Sequence, residues 1–449
     1  MSPSARLVAA LLFGAACAAP TPPEIGPAAD ALLDQLRRNG RFTGAVIIGD
    51  RGRILYEGAR GFANQERRLA FSPDTPVDGA SLAKTFVAAS VWQLVAEDAL
   101  QLEAPVVRYV PAFPHRETTV AQLLDHSAGL AELADATGLD NEGIARAIDE
   151  TPVFTPGSRF AYCNECFDVL ALVLERASRQ PWASFLERRF FEPLGLDSAF
   201  LRPARLADWP GARAVGYERI GDSLVLRDIE DDERFYGSSN IWLSARDLHR
   251  WVTAMLEGSI VPESVRARAH AITRFANGER SALNRLNWYH GSPEGPYVYS
   301  GHLGGFHHEA YWDPGSGISV VWVSNVLGGR PAAPLLTRAL LRIAAGEQVS
   351  RVPTAWFERP SPGSRVGIAG RYALPDIGTV TIRDAGELIG VQVGDGAVHD
   401  GYPLTGFFVP DLDVEVGFSD PGPAGYETLH WLSTFDSAAG RRVPTTKPR

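Results

Sequence analysis

Cysteine is scarce in this chain, with three in 449 residues, too few for a disulfide-stapled scaffold or a four-cysteine zinc site. Basic residues are outnumbered, 43 Lys and Arg against 53 Asp and Glu, for a net charge of −10. No basic run offsets that balance, which excludes a general binder of nucleic acid, since phosphate contacts need Lys and Arg in excess. After the first sixteen residues no apolar run reaches the roughly 20 residues that cross a bilayer, so no transmembrane segment is expected. What is there is ordinary globular material, 45% hydrophobic and 21% charged, long enough for two or three folding units.

The chain opens like an export signal. Arg6 in a short polar start precedes the apolar run Leu7 to Ala16 and then small residues around Cys17. Cleavage after Ala18 and lipidation of Cys17 are both open, so the mature protein is expected to be periplasmic or secreted, or tethered outside the cytoplasm. The Pro- and Ala-rich stretch 19–27 reads as a spacer.

From residue 28 the patterning changes. Leu32, Leu33 and Leu36 have helical spacing, and the β-rich run Phe42 to Gly49 ends at the turn Asp50-Arg51-Gly52 before a second β segment, Arg53 to Glu57. Ser81 to Glu97 predicts an amphipathic helix with Leu82, Phe86, Val91, Leu94 and Val95 on one side. Helical stretches broken by Pro and Gly fill about 118–258, strand signals return at Tyr297 to Tyr299 and Ile318 to Ser324, and a helix over 332–345 closes the unit. Strands at both ends with helices between them predict an α/β (α+β) fold. One antiparallel sheet is flanked by helices, with an all-helical subdomain inserted. Pro353, Pro360 and Pro362 mark a linker over 348–369, and short alternating runs over 370–443 predict a small β-barrel domain that serves structure or assembly, a candidate route to oligomers. Residues 444–449 read as a tail. The resulting division is 1–18 signal, 19–27 linker, 28–347 catalytic domain, then linker, β-domain and tail.

Chemistry concentrates in three places. Ser81-Leu82-Ala83-Lys84 sets a hydroxyl and an amine three residues apart, hence on one face of a helix, where a nearby base can activate the serine. The helix start also offers N–H groups and a positive dipole end to a developing oxyanion. Tyr162-Cys163-Asn164 lies in a loop before a helix, where two residues projecting the same way supply a phenol for proton relay and an amide for a substrate carbonyl. Gly301-His302-Leu303-Gly304-Gly305 precedes the strand-rich end, and alternation is expected to aim His302 and Gly304 at a cleft.

Ser81-x-x-Lys84, Tyr162-x-Asn164 and His302-x-Gly304 together resemble the three motifs of the penicillin-recognising serine hydrolases, in the branch that holds class C β-lactamases, DD-carboxypeptidases, D-aminopeptidases and esterases. The runs Leu123-Leu124-Asp125-His126-Ser127-Ala128-Gly129-Leu130 and Leu243-Ser244-Ala245-Arg246-Asp247-Leu248 are similar to flanking signatures of that branch. The segment with Gly370-Arg371-Tyr372 and Val416-Gly417-Phe418 resembles, more loosely, a lipocalin-like domain appended to some members. The resemblance implies Ser81 as the acylated nucleophile, Lys84 and Tyr162 as the general base and acid pair, Asn164, His302 and Gly304 as substrate-binding residues, and the N–H groups of Ser81 and Gly305 as the oxyanion hole. It implies acyl transfer to water on a small ester, amide or D-amino-acid peptide, with no metal and no cofactor.

Departures narrow that reading. His302 stands where β-lactamases carry Lys, and a mostly neutral imidazole is a poorer partner for a carboxylate, which disfavours β-lactam substrates. Gly237-Ser238-Ser239-Asn240 replaces a Gly-Gly pair, with Ser239 and Asn240 either adding polar groups near the cleft or capping a helix, the cap being favoured. Asp125-His126 reads as a structural hydrogen bond. Cys163 and Cys166 would close a small disulfide in an oxidising compartment and stiffen the tyrosine loop. His307-His308-Glu309 has metal-ligand residue types without the spacing of a zinc helix. Two further readings stay open: a catalytically idle protein that binds cell-wall peptide or assembles through its β-domain, and a true β-lactamase.

Overall fold

The computed structural model describes residues 22–38, 42–203, 208–220, 223–229, 235–290, 294–327, 333–347, 349, 368–375, 377–385, 388–403, 407–409, 414–422, 425–433 and 437–442. The signal 1–18, nearly all of the linker 348–369 and the tail 444–449 lie outside them.

An eight-stranded antiparallel sheet organises the first domain, and its order interleaves the two ends of the segment. Strands Ile272–Arg274, Arg280–Asn284, Tyr289–His290, Tyr297–Leu303, Phe306–Trp312 and Ile318–Ser324 run in sequence, then Gly44–Asp50 and Arg53–Arg60 complete it. The seam is the pairing of Gly44–Asp50 with Ile318–Ser324, in register from Gly44 opposite Ser324 to Asp50 opposite Ile318. The strand Gly44–Asp50 is buried on both faces, which is why its Ala45-Val46-Ile47-Ile48 is apolar without alternation.

The two faces carry two cores. On one, Val46, Ile48, Val320 and Trp322 pack against Leu32, Leu33 and Leu36 of the helix Pro22–Arg38 and against Leu336, Leu340 and Ile343 of the helix Ala333–Ala344. That first helix starts inside the stretch read as a spacer. Pro22 and Pro23 are tolerated in the first turn, where no N–H is needed, Pro27 lies inside the helix, and Ile25, Ala29, Leu32 and Leu36 form the stripe that the sheet buries.

The other face carries the larger core, centred on the helix Ala83–Ala96. This helix is not amphipathic. Every residue from Ala83 to Trp92 is buried, because the sheet covers one side and the helices Asn164–Ser178 and Ala245–Leu256 and their neighbours the rest. Phe86 stacks on Trp251 with ring centroids 3.8 Å apart, and the Trp251 indole donates to Thr85 Oγ1 at 3.2 Å. Ser244 starts Ala245–Leu256 with a capping box. Asp247 N–H donates to Ser244 Oγ at 3.2 Å and the Asp247 carboxylate accepts from Ser244 N–H at 3.1 Å.

Residues 370–442 form an eight-stranded antiparallel set in sequence order, whose first strand, Gly370–Leu374, pairs with its last, Ser437–Arg442, at Tyr372–Arg442 and Ala373–Arg441. Its interior holds Tyr372, Val380, Ile382, Ile389, Val391, Val416, Phe418 and Leu429. Among the described residues no helix is long and apolar enough to cross a membrane, and no group of three His, Cys, Asp or Glu could hold a metal ion.

Candidate active site

Ser81 sits in a strained turn. The strand Val77–Asp78 pairs with Ile241–Leu243, and Gly79 N–H donates to the Ile241 carbonyl at 2.8 Å. A Cβ on Gly79 would stand 2.7 Å from that same oxygen, so this approach requires glycine. Ala80 then takes φ +41°, held there by its N–H donating to the Asp78 carboxylate at 2.6 Å. A non-glycine residue in that region costs about 1–3 kcal/mol, which the Asp78 contact and the buried strand pair offset. A 3₁₀ turn, Ala80–Leu82, leads from there into the helix Ala83–Ala96 and leaves Ser81 partly open.

Lys84 follows one turn on and is wholly buried. Its Nζ donates to Ser81 Oγ at 3.1 Å and to the Ser238 carbonyl at 2.8 Å. Ser238 is fixed in turn by its N–H on Asp168 Oδ1 at 2.8 Å. The segment Gly237 to Asn240 therefore does not cap a helix. It reaches over Lys84 from more than 150 positions away in the chain and steers its ammonium toward the serine.

Tyr162 completes the cluster. Lys84 Nζ lies 5.0 Å from its ring centroid, and Tyr162 Oη is 3.3 Å from Tyr299 Oη. The residue is 42% exposed, so one side of the ring is open while the hydroxyl points inward. Enclosure alone would raise its pKa. The Lys84 charge and hydrogen bonds with Ser81 and Tyr299 outweigh that, and the phenol ionises below its ordinary range. For Tyr299, burial and the neighbouring Tyr162 and Tyr289 push ionisation well above that range.

The loop carrying Tyr162 is held by His126, whose ring stacks on Tyr162 at 4.7 Å and on Phe167 at 4.8 Å. His126 Nδ1 accepts the Cys163 N–H at 2.9 Å, and burial holds the imidazole neutral by lowering its pKa to about 3. Its proton therefore sits on Nε2, where the hydrogen bond calls for the Asn287 amide oxygen rather than its nitrogen; turning that amide also gives the otherwise orphaned oxygen a partner. Asp125 and His126 do not pair with each other. Asp125 takes Arg285 in a two-pronged ion pair, at 3.0 and 2.7 Å. Cys163 and Cys166 are disulfide-bonded, and Cys163 Sγ accepts the Cys166 N–H at 3.0 Å at the start of the helix Asn164–Ser178. Asn164 is the first residue of that helix, exposed and two positions from Tyr162.

The strand Tyr297–Leu303 differs from the expectation. Tyr297, Tyr299 and Gly301 are buried toward Ser81, whereas Ser300 and His302 are exposed on the opposite face. His302 pairs across the sheet with His307, whose ring packs on Trp322 at 4.9 Å, on the side of the terminal helices. Gly304 and Gly305 form the hairpin tip beyond the last pair, Leu303 and Phe306, and Gly305 N–H donates to the Arg227 carbonyl at 2.7 Å. The expectation that His302 and Gly304 face the cleft, with Gly305 N–H as an oxyanion donor, is thus corrected. Alternation has two phases, and the buried aromatics at 297 and 299 select the one that turns His302 away.

Gly301 lies beside the nucleophile instead. A Cβ there would be 3.4 Å from Ser81 N and 2.7 Å from the His308 ring. His308 sits opposite Gly301, fully buried, with neither ring nitrogen hydrogen-bonded, and burial lowers its pKa to about 3. Pairing with Tyr289–His290 stops at Val298, so among the described residues the strand edge from Tyr299 onward has no strand neighbour on that side. Tyr299, Gly301, Ser238 and His308 do not stand out as site residues in the sequence. Alternation from Tyr297 groups the first two on one face, and only the packing shows that this face meets Ser81.

The buried imidazoles of His126 and His308 predict acid sensitivity. Both are neutral in the fold and charge on unfolding below about pH 6.5, so their contribution is complete above that value and is lost as pH falls toward 3. Asp168 works oppositely. Burial raises its pKa to about 7, so its contribution is complete below its unfolded value and is lost as pH rises from there through 7. Burial also lowers the pKa of His249, His270 and His290 and raises that of Asp125 and Asp247, so the lowered imidazoles outnumber the raised carboxyls and protons are taken up on unfolding between about pH 6.5 and 4. The thermal midpoint is expected to fall over that interval, and His308→Gln, neutral throughout, to flatten the fall. A midpoint that is level or rises on acidification would contradict this.

A serine hydroxyl beside an ammonium and a phenol that ionises readily can lose its proton to the phenolate, and that arrangement suits acyl transfer. Comparison with known proteins agrees with the geometry. The family model described as Beta-lactamase matches residues 29–345. Esterase EstB of Burkholderia gladioli is 35% identical over 207 residues, 40% of this chain and 53% of the esterase, so the match spans about half of that relative. Penicillin-binding protein 4* of Bacillus subtilis is 24% identical over 427 residues, covering 86% of this chain and 92% of that protein. Among solved structures, the octameric penicillin-binding protein homologue from Pyrococcus abyssi superposes with a TM-score of 0.62 at 19% identity, covering 91% of this chain and 98% of that one, a likeness of fold. With a matching family model over most of its length and the serine, lysine and tyrosine gathered at one turn, this chain belongs to the beta-lactamase family of serine hydrolases.

Proposed function

We propose that this protein is an exported serine hydrolase that forms an acyl-enzyme at Ser81 on a small ester, amide or D-amino-acid peptide, with esters favoured. The observation that carries the reading is the convergence of Lys84 Nζ on Ser81 Oγ at 3.1 Å with Tyr162 held over the same ammonium. In the first half-reaction the Ser81 proton passes to the Tyr162 oxygen as Ser81 Oγ bonds to the acyl carbon. The phenol then protonates the leaving group as its bond breaks, and water repeats the sequence to release the acid. Lys84 keeps the phenolate available. The Ser81 N–H, at the positive end of a helix and beside Gly301, faces the developing oxyanion. Asn164, next to Tyr162, is suited to the acyl side chain. The 35% identity to EstB, named an esterase, supports the ester preference. The signal-like residues 1–18 and the Cys163–Cys166 disulfide support export.

The test is intact mass after brief exposure to p-nitrophenyl acetate, nitrocefin and a D-alanyl peptide, with product release and a Ser81→Ala control. An acetyl adduct and ester turnover, both absent in the control, are expected. Turnover of nitrocefin or the peptide above the ester would move the assignment to a β-lactamase or peptidase, and no adduct with any probe would make this a binding protein.

A further inference from the structure

We infer that Asp168 is a positioning residue that aims Lys84 at Ser81 through the main chain of Ser238, and that Asn141 and Gly237 complete the clamp. The inference rests on the acyl-transfer reading above. Lys84 has a long side chain with many rotamers, and besides Ser81 its ammonium bonds to the Ser238 carbonyl, in a segment without regular structure. Three contacts fix that segment on the helix Asn164–Ser178. Asp168, 2% exposed, accepts the Ser238 N–H on Oδ1 at 2.8 Å, and the Ser238 hydroxyl bonds to the same carboxyl. Gly237, at φ +120°, lies so close to the helix that a Cβ would stand 2.3 Å from the Phe167 carbonyl oxygen. Asn141 is also buried, and its Oδ1 accepts the Tyr236 N–H at 3.1 Å. Its Nδ2 donates to the Tyr236 carbonyl at 2.6 Å and to the Asp168 carbonyl at 2.7 Å, which joins the segment to the helix a third time.

Place in the chain explains what the clamp achieves. Asp168 stands one turn beyond Asn164 in the helix that Tyr162 leads into, so a single rigid element sets the phenol at its start and the lysine through its first turns. The 5.0 Å between Lys84 Nζ and the Tyr162 ring is thereby fixed from one side of the site. A carboxyl is an expensive choice for this position. Burial opposes its charge and Glu165 adds to that, while Ser238 and the Lys84 charge favour the anion. An apolar side chain of similar volume would pack there without that cost, but would leave the Ser238 N–H unpaired and its carbonyl free to shift.

Asp168→Leu and Asp168→Asn in the full chain separate aiming from packing. The leucine removes the acceptor and should lower kcat for p-nitrophenyl acetate by about 10- to 100-fold, with KM within about threefold. The asparagine keeps an oxygen for the Ser238 N–H and should hold kcat within about threefold of wild type. Having no charge to bury, it should also match or exceed the wild-type thermal midpoint at about pH 8. Ultraviolet titration of tyrosinate reads the aim without turnover. Wild type should show one tyrosine ionising below the ordinary range, absent in Tyr162→Phe, and in Asp168→Leu that signal should move up by about half a pH unit or more. Asn141→Ala should move kcat and titration the same way by less, about three- to tenfold in kcat, and decides the matter if the leucine variant does not fold. A folded Asp168→Leu with unchanged kcat or titration, an Asp168→Asn as slow as Asp168→Leu, or a wild-type kcat in Asn141→Ala overturns the inference. Absence of any Ser81 adduct in the wild type overturns the acyl-transfer reading instead, and the titration still reads the clamp.

Discussion

Lys84→Met is expected to lower kcat/KM for p-nitrophenyl acetate by about 10³-fold or more, close to the loss from Ser81→Ala. The substitution keeps most of the side-chain volume and removes the charge. Without the ammonium, Tyr162 loses the largest influence that favours its phenolate, and enclosure then raises its pKa against only the hydrogen bonds with Ser81 and Tyr299. The residual activity should therefore climb toward alkaline pH, where the phenol ionises unaided. Lys84→Arg should not rescue, because a wholly buried site built around an Nζ at 2.8 Å from the Ser238 carbonyl has no room for a guanidinium fork. Removing the donor also leaves that carbonyl unsatisfied, at about 1–3 kcal/mol of stability, so the rate must be read on protein shown to be folded. A loss below tenfold, with an unchanged pH profile, would remove Lys84 from the chemistry.

Arg285→Ala is expected to destabilise the protein by about 3–5 kcal/mol in chemical denaturation. Its guanidinium grips both oxygens of Asp125, whose side chain is only 6% exposed, and truncation leaves that carboxylate buried without its counter-charge. Asp125 directly precedes His126, the residue at φ +53° on which Tyr162 stacks, so part of the damage should appear as a lower kcat. Arg285→Lys should recover some stability but not the two-pronged geometry. Burial already lifts the Asp125 pKa and Arg285 opposes it, so in the variant the carboxyl protonates more readily. The deficit should therefore shrink as pH is lowered. A cost under about 1 kcal/mol, equal at every pH, would show that the pair is only a surface contact.

Much of this molecule is legible in its residues alone, and the reasons are local. Ser81 and Lys84 share a helix face because three residues nearly complete a turn, and Tyr162 precedes a helix because the chain around it says so. The apolar strands Gly44–Asp50 and Ile318–Ser324, too hydrophobic to alternate, announce a sheet seam buried on both sides. Cysteines three apart in a capping loop foretell their own bond.

Other features depend on partners far away in the chain. The helix after Ser81 shows polar positions that read as a solvated face, yet the sheet and two other helices enclose it and turn Lys84 into a buried, aimed amine. Ser238 holds that amine through a main-chain carbonyl, an atom every residue has and no sequence advertises. The strand Tyr297–Leu303 is the sharpest case. Its residues alternate whatever the surroundings, but sequence alone does not say which phase faces Ser81. Burial of Tyr297 and Tyr299 on the side of the nucleophile, and a hairpin tip at Gly304 and Gly305, set that phase, since a shift of one residue would bury His302 and expose the aromatics. Residue types and short spacings thus determined the chemistry this protein can perform, and only tertiary packing, through the cost of exposing apolar rings and leaving buried polar atoms unpaired, decided which side chains meet at the serine.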